Sequence, residues 1–120
     1  MKVVKSGETE SSIGTTFTGD VILDRVLAAQ TPGGMSVSFV HFHDGARTNW
    51  HEHPSEQILI VLTGAGRVGD ADEEHEIGPG DVIHLPPNTR HWHGARPGKS
   101  MTHISVTNIG SPTWYESPEE

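Results

Sequence analysis

A chain of 120 residues is the size of one domain, and a domain this small buries only about two thirds of the surface its unfolded form exposes, so it supports a single core. It contains no cysteine, which excludes disulfides and thiolate metal sites and gives no sign of an oxidising compartment. The 16 acidic against 8 basic side chains give a formal charge of -8, which repels nucleic acid and anionic membranes and leaves a small molecule or a protein as the expected partner.

In chain order, residues 1–12 lack the apolar run of a signal peptide and are expected to be loosely held. No run anywhere approaches the roughly 18 apolar residues of a membrane span, and the cytoplasm is the expected compartment. Residues 21–30 read as strand followed by coil. The turn Thr31-Pro32-Gly33-Gly34 introduces an apolar strand over 35–43, whose inner face is either Ser36, Ser38, Val40 and Phe42 or Val37, Phe39, His41 and His43. Further strands are expected over 57–63, 82–85 and 101–109, separated by glycine and proline turns. Between the first two lies a compact insert, 65–79, and its acidic run Asp70-Ala71-Asp72-Glu73-Glu74 lacks calcium-loop spacing and reads as a solvated hairpin tip. The last residues, 117–120, are again expected to be loosely held. Short strands at this spacing predict one all-β sandwich or barrel with its core at about 15–110.

Nine histidines are many for this length, and the commonest metal ligand is imidazole. In Trp50-His51-Glu52-His53-Pro54-Ser55-Glu56-Gln57, strand alternation puts His51, His53 and Gln57 on one face and Glu52 and Glu56 on the other. A bulge after Pro54, turning Glu56 inward instead, is the competing reading. Downstream, a strand, the turn Pro86-Pro87-Asn88 and then His91 bring a third imidazole across to the first two. These four side chains predict a site for one divalent ion. Three neutral imidazoles and a neutral amide leave the ion its full charge, which favours a strong Lewis acid held by a weaker trap than a carboxylate would make.

These stretches resemble the paired motifs of the cupin superfamily. Gly45, His51, His53, Gln57 and Gly64 occupy the places of the first motif, with Gln57 where most cupins carry glutamate; Gly80, Pro86 and His91 match the second, in which Asn88 replaces a glycine and Ala95 an asparagine. The resemblance implies a cupin jelly-roll β-barrel. The runs Gly45-Ala46-Arg47-Thr48, His91-Trp92-His93-Gly94-Ala95 and Met101-Thr102-His103 are similar to the small bacterial cupins that include manganese-dependent hydroxynitrile lyases. That branch implies manganese as the preferred ion, with iron, zinc or nickel as substitutes, and Lewis-acid assisted carbon-carbon cleavage of a small cyanohydrin. A cupin dioxygenase using iron and a non-catalytic ligand-binding cupin are the alternatives.

Alternation over 101–107 puts His103, Ser105 and Thr107 on the pocket face, and His93 shares the parity of His91. His103 is the expected base and His93 its deputy. His75 and His84 read as surface residues, and Trp50 and Trp92 as packing or interface residues. The apolar set Ile58, Ile60, Leu62, Ile104 and Val106 on the opposite face needs cover that so short a chain hardly supplies, and a homodimer is the expected answer.

Overall fold

The structure is a computed structural model that describes residues 1–14, 17–108 and 113–118. Every regular element among these residues is a strand, and the strands form two antiparallel sheets facing each other, the jelly-roll arrangement. The first sheet joins β1 (Glu10–Ile13), β3 (Val21–Leu27), β4 (Met35–Phe42), β12 (Met101–Asn108), β7 (Gln57–Gly64) and β10 (Val82–Leu85), in that order across the sheet. In the second, β11 (His91–Ala95) pairs with the short β5 (Arg47–Thr48) and β6 (His51–Glu52), and on its other side with β8 (Gly66–Asp70). The hairpin partner β9 (Glu74–Ile77) follows β8, while β2 (Phe17–Thr18) and β13 (Thr113–Trp114) extend the sheet beyond β5 and β6.

Side-chain alternation sorts each strand into an inner and an outer set. In β7, Gln57, Leu59 and Val61 are buried between the sheets while Ile58 and Ile60 lie on the half-covered outer face. In β12, Met101, His103 and Ser105 are the buried set. Pairing between the two is regular except near Leu62, where the partner of Thr102 is Thr63 and that of His103 is Val61. This bulge leaves Leu62 42% exposed and keeps His103 facing inward. On β4 the inner choice is Ser38, Val40 and Phe42. His41 faces outward, its Nε2 2.8 Å from Asp24 Oδ2 and its Nδ1 3.0 Å from Thr102 Oγ1. The apolar core of Val21, Val40, Phe42, Val61, Val68, Ala95 and Met101 fills one end of the space between the sheets. The other end holds the buried histidines and Gln57 beside a cavity.

Part of each end expected to be loose, 10–12 and 117–118, is held in the structure. Glu10, Ser11 and Ser12 belong to β1, which is paired with β3 from Glu10 against Arg25 to Ile13 against Ile22. At the other end, the buried Arg47 donates from Nη2 to the carbonyl of Pro118 at 2.6 Å, and Ser117 Oγ lies 2.7 Å from Thr18 Oγ1. A guanidinium taken out of water needs acceptors, and the tail supplies one. Ile109, Glu119, Glu120 and the first two residues of the expected core, 15 and 16, lie outside the described residues. The stretch 21–30 is strand followed by coil, as expected, with β3 ending at Leu27, and Asp70 Oδ1 accepts from the backbone N–H of Asp72 and Glu73, which closes the β8–β9 hairpin tip.

Candidate metal centre

His51 and His91 stand directly opposite each other on the antiparallel pair β6–β11, so both rings project to the same side, with centroids 4.2 Å apart. Each is oriented by the chain two residues before it: His51 Nδ1 lies 2.8 Å from the Asn49 carbonyl and His91 Nδ1 2.8 Å from the Thr89 carbonyl. A carbonyl oxygen only accepts, so both Nδ1 atoms carry the proton and both Nε2 atoms present a lone pair. His53 follows β6, and its carbonyl accepts from Asn88 N at 2.7 Å, tying it to the turn that precedes His91. Asn88 takes a φ of 60°, the left-handed conformation that asparagine tolerates in place of glycine. The His53 ring completes the triangle, 5.1 Å from His51 and 5.8 Å from His91.

Gln57 enters from the facing sheet. It is 5% exposed, and its Nε2 donates to Ser105 Oγ at 2.7 Å, which turns Oε1 away from Ser105 with no partner. Glu56 faces solvent and pairs with His84 Nε2 at 2.7 Å, so the bulge that would bring a carboxylate inward does not form. His75 is likewise at the surface, beside Glu73, and Trp92 is buried with the Arg67 guanidinium 5.2 Å from its ring. Trp50 is half-buried, with the Arg90 guanidinium 5.4 Å from its ring.

His93 comes closer to the cluster than the sequence suggests. One nitrogen from each of His51, His91 and His93 lies within 4.8 Å of the others. Its Nδ1 is 2.9 Å from His103 Nε2, and its backbone N–H donates to Thr48 Oγ1 at 3.1 Å. The two expected pocket histidines are therefore stacked in depth. His93 lines the cavity, and the fully buried His103 stands behind it against Phe42.

Burial pushes all five imidazoles below their ordinary value. His51, with the charge of His91 as the next cause, falls to about 3; His91 and His103 fall to about 4. His53 and His93 move in the same direction, His93 well below 6.5. All are neutral at neutral pH, the form that ligates metals. The Nε2 atoms of His53, His91 and His93 and Oε1 of Gln57 are buried and have no hydrogen-bond partner. Several unpartnered acceptors in one place would be costly in an ordinary core. The neutral donors of His51, His53, His91 and Gln57 converge from two sheets and fit one divalent cation, which would satisfy them together and leave His93 Nε2 at the cavity.

His51, His53, Gln57 and His93 line a cavity of about 370 Å³ between the sheets. Its walls include Phe17, Leu23, Val40, Thr48 and Trp114, with Arg25 and Ser12 also lining it. Trp114 stands opposite His51 on β13–β6, and its ring lies 4.4 Å from the imidazole. Arg25, Thr48 and Trp114 do not stand out as pocket residues in the sequence. Arg25 and Thr48 lie on the inner parity of strands whose partners the sequence does not name, and Trp114 on a two-residue strand too short to show alternation. A second cavity, about 430 Å³, lies between β8–β9 and β10 and contains none of these five imidazoles.

Comparison with known proteins agrees with this geometry. The Cupin domain family matches residues 38–107, which contain all the donors named above. The (R)-mandelonitrile lyase of Granulicella tundricola is 42% identical over 111 residues, covering 88% of this chain and 83% of the relative. A cupin-like protein from Thermotoga maritima superposes with a TM-score of 0.82 at 34% identity, covering 98% of this chain and 86% of that one. The polyketide cyclase RemF from Streptomyces resistomycificus shares the fold, with a TM-score of 0.81 at 18% identity over 99% and 88% of the two chains. Two facing antiparallel sheets, histidines gathered at one end between them and a family match across both histidine motifs lead to one conclusion: the chain belongs to the cupin family.

Proposed function

We propose that this protein is a hydroxynitrile lyase that cleaves a cyanohydrin to a carbonyl compound and hydrogen cyanide. The observation that carries the reading is the 42% identity to an (R)-mandelonitrile lyase over 88% of the chain. The ligands of one divalent ion, manganese by preference, are His51, His53 and His91 through Nε2 and Gln57 through Oε1, the atoms that are oriented or left unpartnered around the site. When bound, such an ion supplies Lewis acidity toward an oxygen of the substrate.

The residues around it supply the rest. His93 faces the cavity with an unpartnered Nε2, and its Nδ1 shares a hydrogen bond with His103 Nε2, in which the proposed reaction takes His93 as the donor. His93 Nε2 accepts the hydroxyl proton as the carbon-cyanide bond breaks with its electron pair on cyanide, then returns the proton to the departing cyanide. His103, neutral because it is buried, can accept from His93 Nδ1–H, and in that arrangement His93 Nε2 is the nitrogen free to accept a proton. His103 is a positioning residue, and His93 takes the catalytic place because it is the one that reaches the cavity. Phe17, Leu23, Val40 and Trp114 give the organic part of the substrate an apolar wall and keep water from the cyanide leaving group.

The test combines turnover with metal content. Manganese-loaded protein incubated with mandelonitrile should release benzaldehyde and cyanide. His93→Ala should lower kcat by about 10²- to 10⁴-fold while keeping its metal, whereas His53→Ala should lose the metal. Failure of the wild-type protein to cleave mandelonitrile and other cyanohydrins rules out the reaction, and metal loss in His93→Ala with retention in His53→Ala exchanges the roles of the two histidines.

A further inference from the structure

In a chain with twice as many acidic as basic side chains, the described residues lining the cavity include no carboxylate. They do include one permanent cation, Arg25. Its position is set by the sheet. On β3, Val21, Leu23 and Arg25 share the inner parity, so Arg25 continues the cavity wall outward from Leu23. Its Nη1 donates to Ser12 Oγ at 3.2 Å across the β1–β3 pair. Its cross-strand neighbour Glu10 is exposed and makes no ion pair with it among the described residues.

From Arg25 a polar file crosses the floor of the cavity. Arg25 stands opposite Ser38 on β4, Ser38 opposite Ser105 on β12, and Ser105 Oγ accepts the hydrogen bond from Gln57 Nε2. Neighbouring strands are about 4.8 Å apart, so the Arg25 and Ser105 backbones are separated by about 10 Å. That separation is the length of a substituted benzene ring, and the wall along it carries Leu23 and Val40. One end of the cavity thus holds the imidazoles and the other a guanidinium with hydroxyls at 12 and 38. A neutral aryl cyanohydrin would use the first end and leave the second unengaged. Guanidinium and carboxylate make the strongest of the ordinary side-chain hydrogen bonds, and a cation facing a cavity with no acid among its described lining residues selects for an anion.

We propose that the natural substrate carries a carboxylate at the end remote from the imidazole cluster, bound by Arg25 with Ser12 and Ser38. The inference rests on the lyase reading and narrows its substrate class to cyanohydrins of carboxylated aldehydes, with a formyl acid as the carbonyl product. Arg25 is then a specificity-determining residue.

The test measures binding separately from turnover. Affinities of the manganese-loaded protein for 4-formylbenzoate and benzaldehyde are compared by calorimetry, alongside KM and kcat for mandelonitrile and its 4-carboxy analogue. In the wild type, 4-formylbenzoate should bind about fivefold tighter than benzaldehyde, an exposed charge-assisted contact being worth up to about that much. Arg25→Gln should bring the ratio close to one and raise KM for the carboxylated nitrile more than it changes kcat. Ser12→Ala should reduce the ratio two- to threefold. Added salt should weaken the preference. Equal affinities in the wild type, or a preference that survives Arg25→Gln, overturn the proposal. A preference lost in Arg25→Gln when neither nitrile is cleaved supports the anion subsite and refutes the lyase reading; cleavage of mandelonitrile without the preference does the reverse.

Discussion

Lowering the pH should destabilise the metal-free protein well before its carboxylates titrate. The cause is the group of buried imidazoles. His91 and His103 fall from 6.5 to about 4 and His51 to about 3, in each case through burial first. Between the folded and unfolded values the unfolded chain binds more protons, so stability is present above pH 6.5 and is lost as the pH falls below it. At pH 5 an unfolded histidine is almost fully protonated and His91 in the folded protein almost not at all, which costs about 2 kcal/mol relative to pH 7. His103 contributes a similar amount. For a domain of this size, 1 kcal/mol shifts Tm by about 4 °C, so one such histidine lowers it by about 8 °C and the group by more. Asp24 and Asp70 do not contribute in this window. Hydrogen bonds from Ser11 and His41 hold Asp24 below 3.8, and those from the backbone N–H groups of Asp72 and Glu73 do the same for Asp70, so their stabilisation is lost only at lower pH. The assay is thermal unfolding by circular dichroism of chelator-treated protein at pH 7, 6 and 5, repeated with excess manganese. The ion should raise Tm at pH 7 and raise it less at pH 5, because protons compete for the same nitrogens. A metal-free Tm constant to about 2 °C between pH 7 and pH 5 would refute the picture of neutral, desolvated imidazoles.

Replacing Gln57→Glu puts a negative charge into a neutral donor set and should tighten manganese binding at least tenfold, measured by competition with a chromophoric chelator; an unchanged Kd would place Gln57 outside the ligand set. Gly64→Ala should cost about 2 to 4 kcal/mol in urea denaturation, because Gly64 has a φ of 87° and an added Cβ would meet the Ser100 carbonyl oxygen at 2.0 Å. A loss under about 1 kcal/mol would show that the β7–β8 turn can rearrange around the methyl group.

Alternation makes much of this molecule legible. In β7 and β12 every second residue is apolar or a site residue, and the inner set Gln57, Leu59, Val61 and His103, Ser105 follows from the period alone. Gln57 is preferred over Glu56 on the same ground. Period says which face a residue takes but not how deep it sits. His93 and His103 share inner parity, yet sheet curvature brings one to the cavity and puts the other behind it, which one-dimensional spacing does not encode. β1 escapes notice because Glu10, Ser11 and Ser12 are polar and the strand is held by its ladder to β3 rather than by an apolar stripe. Trp114 escapes because a two-residue strand has no period to read, although a lone tryptophan near the C-terminus is itself a large surface in search of a partner.

His51 and His91 receive their orientation from main-chain carbonyls at Asn49 and Thr89. Backbone groups are the same whatever residue stands at those two positions. Substitutions at 49 and 89, and across most of the cavity wall, can therefore accumulate without turning either ring. The part of the centre that grips an ion is in this way insulated from the part that recognises a substrate, and a lineage built on this arrangement is free to change what it acts on while keeping what it acts with.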